Sequence, residues 1–205
     1  MALNEDLVDF LKDNKDLLIN NDIYGVFMAQ VSRYPNGPFV IGQDLLCFLV
    51  NSGISLDEIL SSMKYIPDYS FCFYNHHALP ETSELKNNVL DLSPYPIEKI
   101  LYKAFECCKV EEIIFPKTLK FIGIQAFYEC NDLKEIILPE GLEVIGDEAF
   151  YDCYRVINVY IPDSCTDIGD DAFRRCDSIK DVSIPKSWAN DVDRIFPHGC
   201  NFEFR

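Results

Sequence analysis

The sequence predicts an α+β chain in which a solenoid of short parallel strands follows a small helical domain. A 23-residue period runs through the C-terminal half, marked by Pro116, Pro139, Pro162 and Pro185. Within each period, apolar residues two apart lead into the proline, which is the alternation of a half-buried strand. Residues 1–85 lack the period and carry apolar residues at helical spacing instead. The expected division is therefore a helical domain over 1–85 and a repeat domain of four to five coils over 86–205.

Three further columns recur in step with the prolines. An Ile-Gly pair stands at Ile122-Gly123, Ile145-Gly146 and Ile168-Gly169, and an Ala-Phe pair at Ala126-Phe127, Ala149-Phe150 and Ala172-Phe173. Three residues beyond each Phe comes Cys130, Cys153 or Cys176. The pattern decays at both ends. Upstream, Pro94, Ile100, Ala104-Phe105 and Cys108 keep the internal spacing, but Leu101 replaces the glycine and the step to the next unit is 22. Downstream, Asp191 takes the Ile slot and Ile195-Phe196 the Ala-Phe slot. Terminal coils of a solenoid degrade in this way because one of their faces has no neighbour to bury against.

Each unit has a physical reading. Val110, Ile113 and Phe115, then Leu133, Ile136 and Leu138, Val156, Val159 and Ile161, and Ile179, Val182 and Ile184 point inward from a short strand. Proline ends that strand because it has no N–H for the ladder. Leu119, Leu142, Cys165 and Trp188 are the next inward slots, followed by the Ile-Gly corner and a one-turn helix carrying Ala-Phe. The glycine answers a backbone geometry or close approach that a side chain would obstruct. Asp147-Glu148 and Asp170-Asp171 fall at the expected helix start, where carboxylates are favoured by free N–H groups. Phe105, Phe127, Phe150 and Phe173 should stack as one spine.

The unit Leu133-x-x-Ile136-x-Leu138-Pro139-x-x-Leu142-x-x-Ile145-Gly146-x-x-Ala149-Phe150-x-x-Cys153 closely resembles the BspA-like type of bacterial leucine-rich repeat, over roughly residues 88–200. The resemblance implies a right-handed, curved leucine-rich-repeat solenoid with a short parallel sheet on one side. It also implies protein–protein recognition, often on secreted or surface proteins, with no catalytic residues in the motif. This chain departs from the surface members in showing no visible export signal or anchor.

Ahead of the repeat, Leu7, Phe10 and Leu11 form one apolar stripe, Ile23, Phe27 and Val31 another, and Leu45, Leu46, Phe48 and Leu49 a buried-looking segment. Tyr34-Pro35-Asn36-Gly37-Pro38 reads as a turn, and Thr82 to Asn88 as a linker. Ser55-Leu56-Asp57-Glu58 has capping-box form and opens a helix through Ile59, Leu60 and Met63 that stops before Pro67. The structural task of such a lead-in is to cover the open first coil. A DNA-reading helix pair between Gln43 and Tyr65 fits by spacing, but Lys64 is the only basic residue there.

The formal charge is −16, from 34 acidic and 18 basic side chains. That balance argues against nucleic acid and anionic membranes as partners, since both reward Lys and Arg. The first six residues have neither a positive start nor an apolar run, and no stretch reaches the length of a membrane span, so a cytoplasmic location is expected. Nine cysteines, an odd number, fit a reducing compartment better than a disulfide framework.

No chemistry announces itself. The Cys108, Cys130, Cys153 and Cys176 column reads as an inward ladder of small apolar side chains, with Cys107 outward. His76, His77 and His198 have no thiol or acid placed beside them by spacing, and no nucleophile elbow or phosphate-binding glycine loop occurs. Sixteen acidic and eight basic residues between Lys109 and Pro185 could hold calcium, but no ligand loop of alternating acids and glycine appears, so a solvated acidic face is the simpler account. We therefore expect no enzyme, no catalytic residue, no metal and no cofactor.

With the inward slots assigned, the outward strand positions follow: Glu112 and Ile114, Glu135 and Ile137, Asn158 and Tyr160, Asp181 and Ser183. Together they form an apolar stripe with an acidic rim, suited to a protein or peptide partner. Two alternatives stand beside this. The stripe could be covered by the lead-in domain, or the acidic surface as a whole could act as a decoy for a basic nucleic-acid-binding surface, as phage or mobile-element proteins do.

Overall fold

The computed structural model describes residues 56–66 and 88–205, together with Lys12, Asp13 and Asp16, which are helical. The three apolar stripes expected before residue 50, the Tyr34–Pro38 turn, most of the 82–88 linker and the His76-His77 pair lie outside the described residues.

The capping-box helix is present as α1, Leu56–Ser62, and buries Ile59, Leu60 and Met63. Strand β1, Tyr65–Ile66, follows directly and pairs in parallel with β3, Lys99–Ile100. Phe121–Ile122, Val144–Ile145 and Asp167–Ile168, strands β5, β7 and β9, continue the same sheet to five strands. This sheet thus begins upstream of residue 85, and the isoleucine of the Ile66-Pro67 pair occupies the slot of Ile100.

A second set of strands precedes the prolines. It comprises β2, Val89–Asp91, β4, Glu112–Ile114, β6, Glu135–Ile137, β8, Asn158–Tyr160, β10, Asp181–Ile184, and β11, Asn201–Phe204. Strands β6, β8, β10 and β11 form one parallel sheet and β2 and β4 another, and a hydrogen bond from Lys134 N–H to the Glu111 carbonyl links the two (3.0 Å). Register is kept throughout: Glu135, Asn158, Asp181 and Asn201 stand opposite one another, as do Ile137, Tyr160, Ser183 and Glu203. The solenoid therefore has parallel sheets on two sides, where the sequence reading placed one. The Ile-Gly corner is a two-residue strand, and its β-branched and aromatic residues suit that state.

All twelve residues assigned inward from the pre-proline strands are buried, as are Leu119, Leu142 and Cys165. Trp188 packs partly buried on the same core and donates its indole N–H to the Cys165 carbonyl one coil earlier (3.2 Å). Between the sheets runs the phenylalanine spine. Phe105, Phe127, Phe150, Phe173 and Phe196 stack with neighbouring ring centroids 4.8–5.1 Å apart and ring planes within 9° of parallel. That spacing is the repeat of stacked strands, so one coil rise sets both the sheet and the ring separations.

The expected one-turn helix forms only in the coil of Ile195-Phe196, as α2, Val192–Ile195; at the four Ala-Phe pairs before it no helix is formed. Each of those four coils holds two left-handed residues there, such as Lys103 and Cys107 (φ 50° and 58°) or Glu148 and Asp152 (φ 52° and 58°). These conformations turn alternate peptide groups along the stack. Lys103, Phe105 and Cys107 N–H donate to Ile124, Ala126 and Tyr128 of the next coil (2.8–3.2 Å), while Ala104, Glu106 and Cys108 N–H donate three residues back (3.0–3.3 Å). A regular helix would point these N–H groups one way along its own axis and could not send alternate ones to the next coil. The carboxylates expected at a helix start do other work: Glu148 and Asp171 take the left-handed conformation, which the short side chain of Asp171 tolerates comparatively well.

Glycine at the corner answers close approach, not positive φ. A Cβ on Gly146 would lie 2.6 Å from the Ile124 amide nitrogen and 2.7 Å from the Gly123 carbonyl carbon, and one on Gly169 2.3 Å from the Asp147 nitrogen. Each glycine is thus demanded by the coil before it.

Candidate interaction surface

The ladder register brings six of the eight outward positions, Glu135 to Ser183, onto one side of the solenoid, and the Lys134–Glu111 backbone bond, in the same phase, sets Glu112 and Ile114 beside them. Glu112, Glu135, Asn158 and Asp181 form one column and Ile114, Ile137, Tyr160 and Ser183 the next. Ile114 is 39% exposed and Ile137 61%, although a large apolar side chain gains by leaving water. Six of the eight, from Glu135 to Ser183, line an open groove of about 520 Å3. The sequence reading missed the far wall of that groove, since Asn201, Phe202 and Glu203 of β11 complete it. The available signal was the alternation in Asn201-Phe202-Glu203-Phe204, obscured by its position past the last repeat marker.

Local pairing holds the columns in place. Asn158 donates to Glu135 (3.0 Å) and Asn201 to Asp181 (3.2 Å), so the Asn158 amide separates the Glu135 and Asp181 carboxylates and relieves like-charge contact. The Tyr160 hydroxyl donates to Glu140 (2.6 Å), and this bond to a carboxylate holds the phenol above its ordinary pKa. Beyond the groove, the Lys134 ammonium bonds Glu111 and keeps that carboxyl below the usual range.

The inward thiols among the described residues are held in the core and are not nucleophiles. Cys130, Cys153 and Cys176 are buried and donate S–H to the Phe105, Phe127 and Phe150 carbonyls of the preceding coil (3.0–3.2 Å). Burial pushes the Cys153 and Cys176 thiols well up and Cys165 to about 12, so these groups stay protonated at neutral pH. The ladder expected from the sequence is therefore present, and its sulfur atoms join the coils through hydrogen bonds. Cys107 is half-exposed and Cys108 buried, the split that the repeat phase predicts. His198 lies exposed, 3.9 Å from Asp193. The buried carboxylate Glu106 is held by Lys103 at 2.6 Å. Among the described residues no group of three or more His, Cys, Asp or Glu side chains is placed to hold a metal ion, and no helix is long and apolar enough to cross a membrane.

A parallel solenoid with a conserved-phase core and an outward sheet face defines a repeat scaffold. Residues 98–203 match the profile of the BspA type leucine rich repeat region in six copies, and the chain belongs to that family. Families of this type generally act as non-enzymatic binding proteins. Among solved structures, a leucine-rich repeat protein from Bacteroides ovatus is similar at 23% identity, with 71% of this chain and 46% of that one covered and a TM-score of 0.50, a likeness of fold. The Treponema pallidum leucine rich repeat protein shares 34% identity over 48% of this chain and 45% of its own, at a TM-score of 0.45. A leucine rich cell surface protein from Faecalibacterium prausnitzii shares 26% over 54% and 31%, at 0.41. The chain spans less than half the length of each. No curated protein matches it at a significant level.

Proposed function

We propose that the chain is a protein-interaction module that binds a protein or peptide through the outward face carrying Glu112, Ile114, Glu135, Ile137, Asn158, Tyr160, Asp181 and Ser183. The observation that carries this reading is the exposure of Ile114 and Ile137 in a column flanked by carboxylates, continuous with an open groove. An apolar strip with a polar rim is the arrangement of a recognition patch, where the centre supplies affinity and the rim supplies register. In-register strands present such a strip at a repeat of about 4.8 Å, and a segment laid across them meets a new pair of side chains at each step.

The test replaces Ile114 and Ile137 by Asp together and compares capture of proteins from the source cell's lysate with that by the native chain. Partner capture is expected to fall at least tenfold while the melting temperature moves by only a few degrees. Unchanged capture would refute the assignment of this face. The decoy alternative is favoured by the net charge of −16 and predicts capture that weakens steeply between low and high salt. The apolar column predicts a retained fraction at high salt.

A further inference from the structure

Arg205 turns back from the last coil and lies against residues two coils earlier. Its backbone is held by Ile184, whose carbonyl accepts the Arg205 N–H (3.0 Å), and by Lys186, whose N–H donates to the Arg205 carbonyl (2.8 Å). Its guanidinium crosses the β10 coil and sits 4.5 Å from the centre of the Tyr160 ring. There it meets four complementary groups. The Tyr160 ring offers its face, the Tyr160 hydroxyl oxygen accepts from Nη1 (3.1 Å), the Ile161 carbonyl accepts from Nη2, and the Asp163 carboxylate lies 3.2 Å from Nη1. The hydroxyl proton is already committed to Glu140, so the phenol oxygen presents its lone pairs to the cation.

Receptor and occupant stand on different footings. Tyr160 belongs to β8, which is paired on both sides by β6 and β10, and the Ile161 N–H is bound to the Ser183 carbonyl (2.9 Å). Arg205 follows β11, the last strand of its sheet, paired with β10. The receiving groups are therefore held by a strand paired on both sides, and the arginine that fills them follows a strand paired with β10. Ser183, the smallest side chain of its outward column, stands opposite Tyr160 on the coil that the guanidinium crosses.

We propose that Tyr160, Ile161 and Asp163 form a binding site for an arginine side chain. In the free chain Arg205 fills it, and a partner seated on the outward face delivers its own arginine there and displaces Arg205. The inference rests on the reading of that face as the interaction surface and names the partner's chemistry: an apolar segment carrying an arginine. A flat cation between an aromatic face, two neutral acceptors and a carboxylate selects guanidinium over ammonium, because a planar fork can stack and bond in one plane while a lysine head cannot. Glu140 and Asp163 beside the site, with Glu135 and Asp181 along the groove, add the complementary charge.

The experiment uses the full chain and a fluorescent seven-residue peptide with a central arginine between isoleucines, compared with counterparts bearing citrulline or lysine at that position. Anisotropy titrations of the Arg205→Ala protein are expected to show the arginine peptide bound at least tenfold more tightly than by the native chain. The same protein should prefer it at least tenfold over both counterparts, and adding Asp163→Asn should erase the preference. Equal binding of arginine and lysine peptides would reduce the site to general attraction by an acidic surface and overturn the proposal. So would equal binding of arginine and citrulline peptides, or no binding. Arg205→Gln, which keeps the aliphatic stem, serves with the same criteria if the alanine variant does not fold. Failure here is separable from failure of the face: loss of capture in the Ile114→Asp and Ile137→Asp chain with no arginine preference leaves the face standing without the site, and the converse result leaves the site without the face.

Discussion

Two columns of this solenoid, one inside and one outside, are built on the same coil rise and differ in what they allow. Inside, the ring slot is phenylalanine in five successive coils, from Phe105 to Phe196, each ring about 5 Å from the next. Outside, the column that begins at Ile114 runs Ile137, Tyr160, Ser183 and Glu203, four residue types in five coils. The inner slot meets an identical environment in every coil, so one residue solves it each time. The outer slot meets solvent, so nothing in the fold prescribes it. Repetition in this chain marks structure, and variation in the midst of repetition marks the surface on which a partner can be specified.

The contrast can be broken in order of effect. Phe150→Ala removes a ring stacked on both sides with no exposed surface, and should cost about 3–5 kcal/mol, read as a fall in the urea midpoint. A change near zero would mean that the spine does not hold the coils together. Gly146→Ala adds one methyl group against backbone atoms of the previous coil, which cannot rotate away, and about 1–3 kcal/mol is expected from the forced separation. If it proves neutral, the close approach of coils at the corner is wrong.

The inner thiols give a pH dependence with a definite sign. Burial raises the folded-state values of Cys153 and Cys176 and brings Cys165 to about 12, above the unfolded thiol near 8.5. The stability that they contribute is therefore intact below about pH 8.5 and is lost as pH rises from there toward the folded values. A urea midpoint measured from pH 7 to 10 should hold level and then fall. In a chain with all three replaced by Ala the fall should be shallower, and equal slopes would exclude the thiols as its cause. Smallest is Ile137→Ala on the outer column, expected within about 0.5 kcal/mol of the native chain because the side chain is mostly in water already. A large loss there would place Ile137 in the fold's own packing and remove it from the candidate surface.

Much of the solenoid was legible because each inward slot is tested several times over. The Pro, Ala-Phe and Cys columns fix the phase of the coil, and phase decides which residues face in; the split of Cys107 and Cys108 followed from it. The second sheet was harder to see. Phe121-Ile122 and Val144-Ile145 are only two residues long, too short for an alternation, and pairing with neighbours makes them strands. The misjudged turn has a similar origin. Ala-Phe flanked by Gln125 and Glu129 or by Glu148 and Asp152 has helical composition, yet hydrogen bonding between coils draws those flanking residues into left-handed geometry that local propensity disfavours.

The candidate surface divides along the same line. Its eight positions follow from alternation, which any strand obeys, so they could be named before a fold was known. That Arg205 lies over Tyr160 could not, because 45 residues separate them and no periodicity relates them. Read alone, the sequence determined the period, the phase and hence the inside and outside of each coil, since these depend on residues close in the chain and repeated many times. Tertiary structure alone decided the second sheet, the left-handed turns, the pairing of Asn201–Phe204 with β10 and the seat of Arg205. Each of these depends on groups that meet only when separate coils stack, and the free energy that selects them exists only in the assembled stack.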